Sequence, residues 1–535
     1  MRIRQSRLVR SLFVGLVAAC VGAVGLSASG RAQHDDDDVV TTDRGPVRGI
    51  DTGTMRAFLG IPYAAAPIDN LRWQPPQPHV RWHAPLNATS FGGHCPQGPS
   101  VGGRASVTED CLFLNVFTPR SNGHDEEGPG EHRRPVMVWI HGGGLTVGES
   151  DDYLPVKLVD EDTVVVTINY RLGILGFFAH PALSAESPDH ISGNYGLMDQ
   201  QFALQWVRRN IARFGGDPDN VTVFGESGGG LSVHAQLASP AATGLFHKAI
   251  VQSGAYQLTQ PSLSDVASYG AFAASQVGCT TAACLRALPI TALLTLQDQA
   301  FPNGVPLVVD GKLLPMSVAA AVATGQFNRV PVIEGSNHDE WRFFVGLTEL
   351  TTGTRLTAVG YIPAIAQTLG VSPGVAAALA GLYPLAAYPP PSTAPSVALG
   401  ALGTDAVFAC NARLVSGLLA QYVPTWQYEF NDAHAPLPLN VSVSFPSGAY
   451  HSSEVQYLFD LSSLGLPGLN LGQAQLSDDM VRYWTRFART GRPRSPGLPA
   501  WPRYGVSDEF QSFEGAAPVT KGGFALDHKC AVWIQ

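Results

Sequence analysis

Between Pro135 and Ser336 the chain holds five near-continuous apolar runs, "PVMVWI", "TVVVTINY", "NVTVF", "HKAIVQSG" and "VPVIEGS", separated by glycine turns and mixed stretches. Runs so uniformly apolar predict strands covered on both faces, since a strand with one wet side would alternate. Between two of them, "GLMDQQFALQWVRRNIARFGG" repeats Leu204, Val207, Ile211 and Phe214 at helical spacing, with Gly215 as a stop. That pattern predicts an amphipathic helix. Strands alternating with such helices predict the α/β class, a large mostly parallel central sheet with helices on both faces. The one biased segment, Ser372 to Gly403, carries no charge and is rich in alanine and proline. It reads as short core helices with a loop, or as part of the wall of an acyl-binding pocket.

Composition narrows the class. Of 535 residues 45% are hydrophobic and 14% charged, which permits a large core and excludes disordered and collagen-like chains. A net charge of -9 with no basic block after residue 10 gives no electrostatic footprint for nucleic acid. The start differs from the rest: Arg2, Arg4, Arg7 and Arg10 precede an apolar run from Leu12 to Leu26 and then small residues. Residues 1–32 therefore read as a secretory signal, followed by a single domain over 33–535. The apolar run is shorter than the ~20 residues a spanning helix needs, and no later segment is apolar for long enough, so stable membrane insertion is not expected. A lipid anchor at Cys20, after "VAA", is the alternative. The acidic run Asp35 to Asp38 reads as a solvated tail.

Export makes disulfides the expectation for Cys95, Cys111, Cys279, Cys284, Cys410 and Cys530. Spacing suggests only the local pairs, Cys279 with Cys284 and Cys95 with Cys111. The close ligand pairs of a zinc site are missing, so neither metal nor cofactor is expected.

The chemistry concentrates in "NVTVFGESGGGLSVHAQLAS", Asn220 to Ser239. Gly-x-Ser-x-Gly alone is a weak signal. Here "VTVF" supplies a strand, small residues flank Ser227, and helix-forming sequence follows, which is the context of a nucleophile elbow. The tripeptide Gly148, Glu149, Ser150 lacks that context. A serine hydroxyl needs a base, and the tetrahedral intermediate needs oxyanion donors. Strand "PVMVWI" runs into His141, Gly142, Gly143 and Gly144; the N–H groups of Gly143 and Gly144, with that of Gly228, are the candidate oxyanion hole.

The segments "VWIHGGG", "FGESGGG", "FLGIPYAAAP", "LRWQPP", "EDCLFLNV" and "NYGLMDQQFALQWVRRNIARFGGDPDNVTVFGES" resemble the type-B carboxylesterase family, which includes cholinesterases, microbial para-nitrobenzyl esterases and fungal lipases. The match runs from about residue 40 to the C-terminus. It implies an α/β-hydrolase fold and ester hydrolysis through serine, histidine and glutamate. "GSNHDEWRFF" resembles the acid loop and implies Glu340, with Asp339 and Glu334 as alternatives; Trp341 stands where the family usually has glycine. "FPSGAYHSSEVQYLF" resembles the histidine loop and implies His451. Catalytic Ser227, Glu340 and His451 would then act in the chain order of α/β-hydrolases. The resemblance also implies Cys410 paired with Cys530 beside the two local disulfides, and ion pairs of Arg72 with Glu109 and Arg171 with Asp199. Glu226 reads as a neighbour of the histidine and Ser253 as a satisfied polar group at a strand end.

A small-molecule ester is the expected partner. The loop between the first two cysteines, "PQGPSVGGRASVTED", has no aromatic residue for a quaternary ammonium and almost no apolar face for an interfacial lid. Short or medium acyl esters or aryl esters are therefore the expectation. Interfacial lipase, amidase or carbamate hydrolysis at the same site, and a non-catalytic binding relative, are the alternatives. Oligomeric state is open.

Overall fold

The computed structural model describes residues 38–100, 103–120, 133–438, 441–505 and 507–534. The segment read as a secretory signal, with Cys20 in it, lies outside the described residues.

Eleven strands form the main sheet: β1 (Ile50–Asp51), β2 (Met55–Pro62), β3 (Phe113–Pro119), β4 (Arg134–Ile140), β5 (Val164–Ile168), β6 (Gly216–Glu226), β7 (Lys248–Gln252), β8 (Val332–Asn337), β9 (Thr425–Phe430), β10 (Phe510–Glu514) and β11 (Ala517–Lys521). Their spatial order is β11-β10-β9-β8-β7-β6-β4-β5-β3-β2-β1. From β5 to β10 neighbouring strands are parallel, while β11, β3, β2 and β1 pair antiparallel at the two margins. The five apolar runs of the sequence are β4 to β8. Every residue of β5, β7 and β8 is buried, as continuous apolar runs require of strands with helices on both sides.

Helix α1 (Tyr195–Asn210) occupies the predicted amphipathic stretch. A single 3-10 turn extends it to Phe214, and Gly215 closes it at φ 85, a left-handed stop that suits glycine. Helix α2 (Gly228–Ala238) follows β6 and is buried along its whole length. On the opposite face lies α8 (Leu471–Thr490), opened by a capping box between Asn470 and Gln473; its Leu476, Met480, Trp484 and Phe487 share one apolar cluster with Trp139, Phe224 and Phe459.

A helical cap follows β8: α3 (Glu340–Thr352), α4 (Ala358–Leu369), α5 (Pro373–Leu382), α6 (Ala394–Gly403), a π-turn over Thr404–Ala409, and α7 (Cys410–Leu419). Its core is separate from the two that flank the sheet and gathers Trp341, Tyr361, Ile365, Leu399 and Phe408. The uncharged segment Ser372 to Gly403 thus forms short helices, of which α6 is mostly buried and α5 mostly turned outward.

Three disulfides, Cys95–Cys111, Cys279–Cys284 and Cys410–Cys530, lock the scaffold and fit an oxidising compartment. The two implied ion pairs are present. Arg72 makes paired contacts to Glu109 at 2.7 and 2.5 Å, and Arg171 to Asp199 at 2.8 and 2.7 Å. Among the described residues, no single helix is long and apolar enough to cross a membrane.

Candidate active site

The loops at the C-terminal ends of β4, β6, β7, β8 and β9 meet along one edge of the sheet, where parallel α/β folds hold their ligands. Strand β6 ends at Glu226, α2 begins at Gly228, and Ser227 joins them at φ 56 and ψ -117. A non-glycine residue with positive φ is strained, and the strain raises the serine out of the strand; Ser227 is part-exposed between fully buried neighbours. Glycines permit the tight approach of strand and helix. A Cβ on Gly229 would lie 1.9 Å from the Ile140 carbonyl oxygen, so no larger residue fits without moving β4.

Strand β4 runs into the glycine loop that holds the candidate donors. Gly143 and Gly144 turn at φ 91 and 61, and the Gly143 carbonyl is tied back by the N–H groups of Thr146 and Val147. A Cβ on Gly228 would sit 2.9 Å from the Gly144 nitrogen, which places these backbones side by side next to Ser227. His141, ahead of the glycines, stacks on Tyr170 with centroids 4.5 Å apart; burial lowers its imidazole to about 4, so it is a neutral wall of the site.

Helix α3 starts at Glu340, and its buried carboxylate converges on three donors. Oε2 accepts from His451 Nδ1 at 2.5 Å. Oε1 accepts from the Asn337 N–H at 2.8 Å and from Ser253 Oγ at 2.5 Å. The other face of the imidazole looks at Glu226, with Nε2 3.2 Å from Oε1; among the described residues no hydrogen bond joins Ser227 Oγ to His451. Burial pushes the Glu226 carboxyl up to about 8. Burial alone would lower His451, and the carboxylates of Glu226 and Glu340 outweigh it, holding the imidazole up at about 9. Behind Glu340 lies another buried carboxyl, Glu454, bonded by Gln252 Nε2 at 3.1 Å and Asn337 Nδ2 at 2.6 Å and raised by burial first and Glu340 second.

The alternative acids point elsewhere. Asp339 pairs with Arg342 and accepts from the Ala449 N–H, and Glu334 bonds His234 beneath α2 at 2.8 Å. Trp341 does not distort the loop. It lies within α3 in ordinary helical backbone, its N–H donates to Thr404 Oγ1 at 3.0 Å, and its ring rests on Gly403, whose missing side chain makes the room. The rings of Phe343, Phe344 and Phe408 stand 5.9, 5.3 and 5.0 Å from the His451 imidazole, giving the site aromatic walls.

Several participants escaped the sequence. Ser253 is satisfied, as read, but by the carboxylate of Glu340. The Glu454 network is assembled from three distant segments without a local motif. The Cys95–Cys111 loop and its flank are fastened to the stretch after Gly144: Arg104 contacts Glu149, Asp151 and Asp152 at 2.7, 3.1 and 3.2 Å, and His94 contacts Glu149 and Asp151 at 3.2 and 3.0 Å. Burial raises Glu149 to about 7 and Asp152 to about 6.

Comparison with known proteins meets this geometry. The model of the Carboxylesterase family matches residues 36–533. The chain is 34% identical to Carboxylesterase 1C of Rattus norvegicus over 87% of its own length and 88% of the relative's. It is 36% identical to Pyrethroid hydrolase Ces2a of Mus musculus, covering 90% and 89%, and 34% identical to Fumonisin B1 esterase of Sphingopyxis macrogoltabida, covering 90% and 87%. With a parallel sheet, a strained serine between strand and helix, and relatives matched across nearly their whole length, the chain belongs to the carboxylesterase family of α/β-hydrolases and is a hydrolase of carboxylic esters.

Proposed function

We propose that the protein is an exported esterase that cleaves soluble short or medium acyl esters or aryl esters through an acyl-enzyme on Ser227. His451 takes the Ser227 proton as the hydroxyl attacks the ester carbonyl and returns it to the leaving alcohol. Glu340 fixes the imidazole tautomer and stabilises its cation. The N–H groups of Gly143, Gly144 and Gly228 receive the oxyanion. Water then repeats the sequence and frees the acid.

The single observation that carries this reading is Ser227 held at φ 56 between β6 and α2, within an edge that also holds the bonded His451–Glu340 pair. The substrate class rests on two further observations. Phe343, Phe344 and Phe408 give the histidine an apolar aromatic surround suited to aryl or aliphatic groups. The Cys95–Cys111 loop is polar and ion-paired to its base through Arg104, a poor candidate for a lid that opens on lipid. Export rests on the three disulfides together with the sequence of residues 1–32.

The test is turnover of p-nitrophenyl esters from acetate to palmitate by the mature protein and its Ser227→Ala variant. The variant is expected to lose several orders of magnitude in kcat/KM with its fold intact, and the wild type to favour the short or medium members. A variant as active as wild type would overturn the mechanism; a rate that jumps once a long-chain ester passes its solubility limit would overturn the substrate class.

A further inference from the structure

Next to Glu340 in the chain the structure gathers a second set of ionisable groups that the proposed mechanism does not use. His338, two residues before Glu340, meets Asp527 and His528 of the C-terminal segment; one imidazole nitrogen of each histidine and a carboxylate oxygen of Asp527 all lie within 4.8 Å of one another. The two rings are 5.4 Å apart. His528 is buried, with Nδ1 2.6 Å from Asp405 Oδ1 and Nε2 2.5 Å from Glu429 Oε1. His338 Nδ1 is 3.2 Å from Asp339 Oδ1, and its Nε2 is 3.5 Å from Asp527 Oδ2. Four carboxylates, those of Asp339, Asp405, Glu429 and Asp527, thus face two imidazoles.

We propose that His338, Asp527 and His528 bind one divalent transition-metal ion of the zinc type. Two imidazoles and a carboxylate are the borderline N and O ligand set that zinc takes. The surrounding carboxylates fit the role that orients metal-bound histidines, in which the ring nitrogen away from the ion donates to an acceptor. Whichever nitrogen of His528 turns to the ion, the other keeps a carboxylate, Asp405 on Nδ1 or Glu429 on Nε2. Those carboxylates are themselves held, Asp405 by Tyr383 Oη at 2.7 Å and Glu429 by Asn431 Nδ2 at 2.6 Å. On binding, the ion replaces the proton on the ligating nitrogen of each histidine, and the displaced protons leave to solvent. Asp527 is exposed and His338 part-exposed, which supplies an entry path and room for a water as a further ligand.

The site differs from the other cluster of similar composition, His94 with Glu149 and Asp151. There the guanidinium of Arg104 already sits on the carboxylates, so a second cation would face a resident one. An ion at His338, Asp527 and His528 would clamp the segment anchored by the Cys410–Cys530 disulfide to the end of β8.

The experiment uses the full mature chain stripped of metal with a chelator and titrated with Zn2+ against a chromogenic competitor, with thermal melting in parallel. Wild type is expected to take up one ion per chain and to melt at a higher temperature with the ion than without. Asp527→Asn and His338→Gln, at an exposed and a part-exposed position, are expected to bind at least about 10-fold more weakly and to lose the melting shift. No uptake by wild type overturns the proposal. So does undiminished uptake in a folded Asp527→Asn variant, which would move the ion to other residues. The readout is binding and not turnover, so failure here leaves the esterase mechanism standing, and the reverse.

Discussion

Replacing Gly403 with alanine tests whether the helical cap positions the acid of the site. An added Cβ at Gly403 would stand 2.1 Å from Trp341 Cγ, whereas carbon atoms in contact sit at about 3.5–4.0 Å. The indole, or the backbone of α6, must therefore yield by roughly 1.5 Å. The ring is boxed in by Phe344 at 4.6 Å and Phe408 at 6.3 Å, and the Trp341 N–H is bonded to Thr404 beside Gly403, so the displacement is passed to the first turn of α3. That turn begins with Glu340, whose carboxylate is 2.5 Å from His451 Nδ1. A misplacement of about 1 Å in a catalytic array costs on the order of 10²-fold, or about 2.7 kcal/mol of barrier, while overpacking costs about 1–3 kcal/mol of stability. The expected result is a fall of about 10- to 100-fold in kcat/KM for Gly403→Ala on a p-nitrophenyl ester, with a smaller effect on KM. Adding Trp341→Ala removes the clashing atom, so the double variant should be more active than Gly403→Ala alone, a coupling of about 0.5–3 kcal/mol. Wild-type kcat/KM in the single variant, or strict additivity in the double, would refute the transmission from cap to acid.

Two further outcomes follow from the electrostatics. Glu226 is one of the carboxylates holding His451 up at about 9, so Glu226→Gln removes negative charge, lowers the imidazole pKa and leaves the basic form populated at lower pH; the acid limb of the kcat/KM profile should move down, and an unmoved or upward limb would contradict the assignment. Asp199→Asn strips the charge from a buried partner that accepts both the side chain and the backbone N–H of Arg171; an uncompensated buried guanidinium costs about 3–5 kcal/mol, to be read as a lower denaturant midpoint, and an unchanged midpoint would show the pair to be dispensable.

Those residues were not equally legible in the sequence. Strand runs and the elbow around Ser227 are local patterns, written in the period of apolar residues and in the glycines beside one serine, so they can be read without a partner in view. Glu340 and His451 carry no such signature. Only the resemblance of their surrounding loops to those of a family singles them out. Ser253, Gln252 and Glu454 support the same carboxylate network, yet each is an ordinary polar residue until the fold brings the ends of β7 and β8 against the turn after His451. Gly403 is the clearest case. The departure at Trp341 was visible at once, but the glycine that accommodates it lies on another helix, and nothing in the linear order joins the two. The proposed metal ligands are hidden in the same way: His338 and His528 stand far apart in the chain and become neighbours only where the C-terminal segment packs beside the end of β8.

The interleaving of the site along the chain has a consequence for how the molecule comes into being. In the proposed mechanism Ser227 follows β6, its acid Glu340 follows β8, and its base His451 comes another 111 residues after the acid. On that reading a chain that stops short of residue 451 carries the serine in its sequence and lacks the means of activating it. Turnover therefore reports completion. A secretion screen scored by ester cleavage counts only molecules synthesised through residue 451 and correctly closed, and partial products remain silent in it however abundant they are.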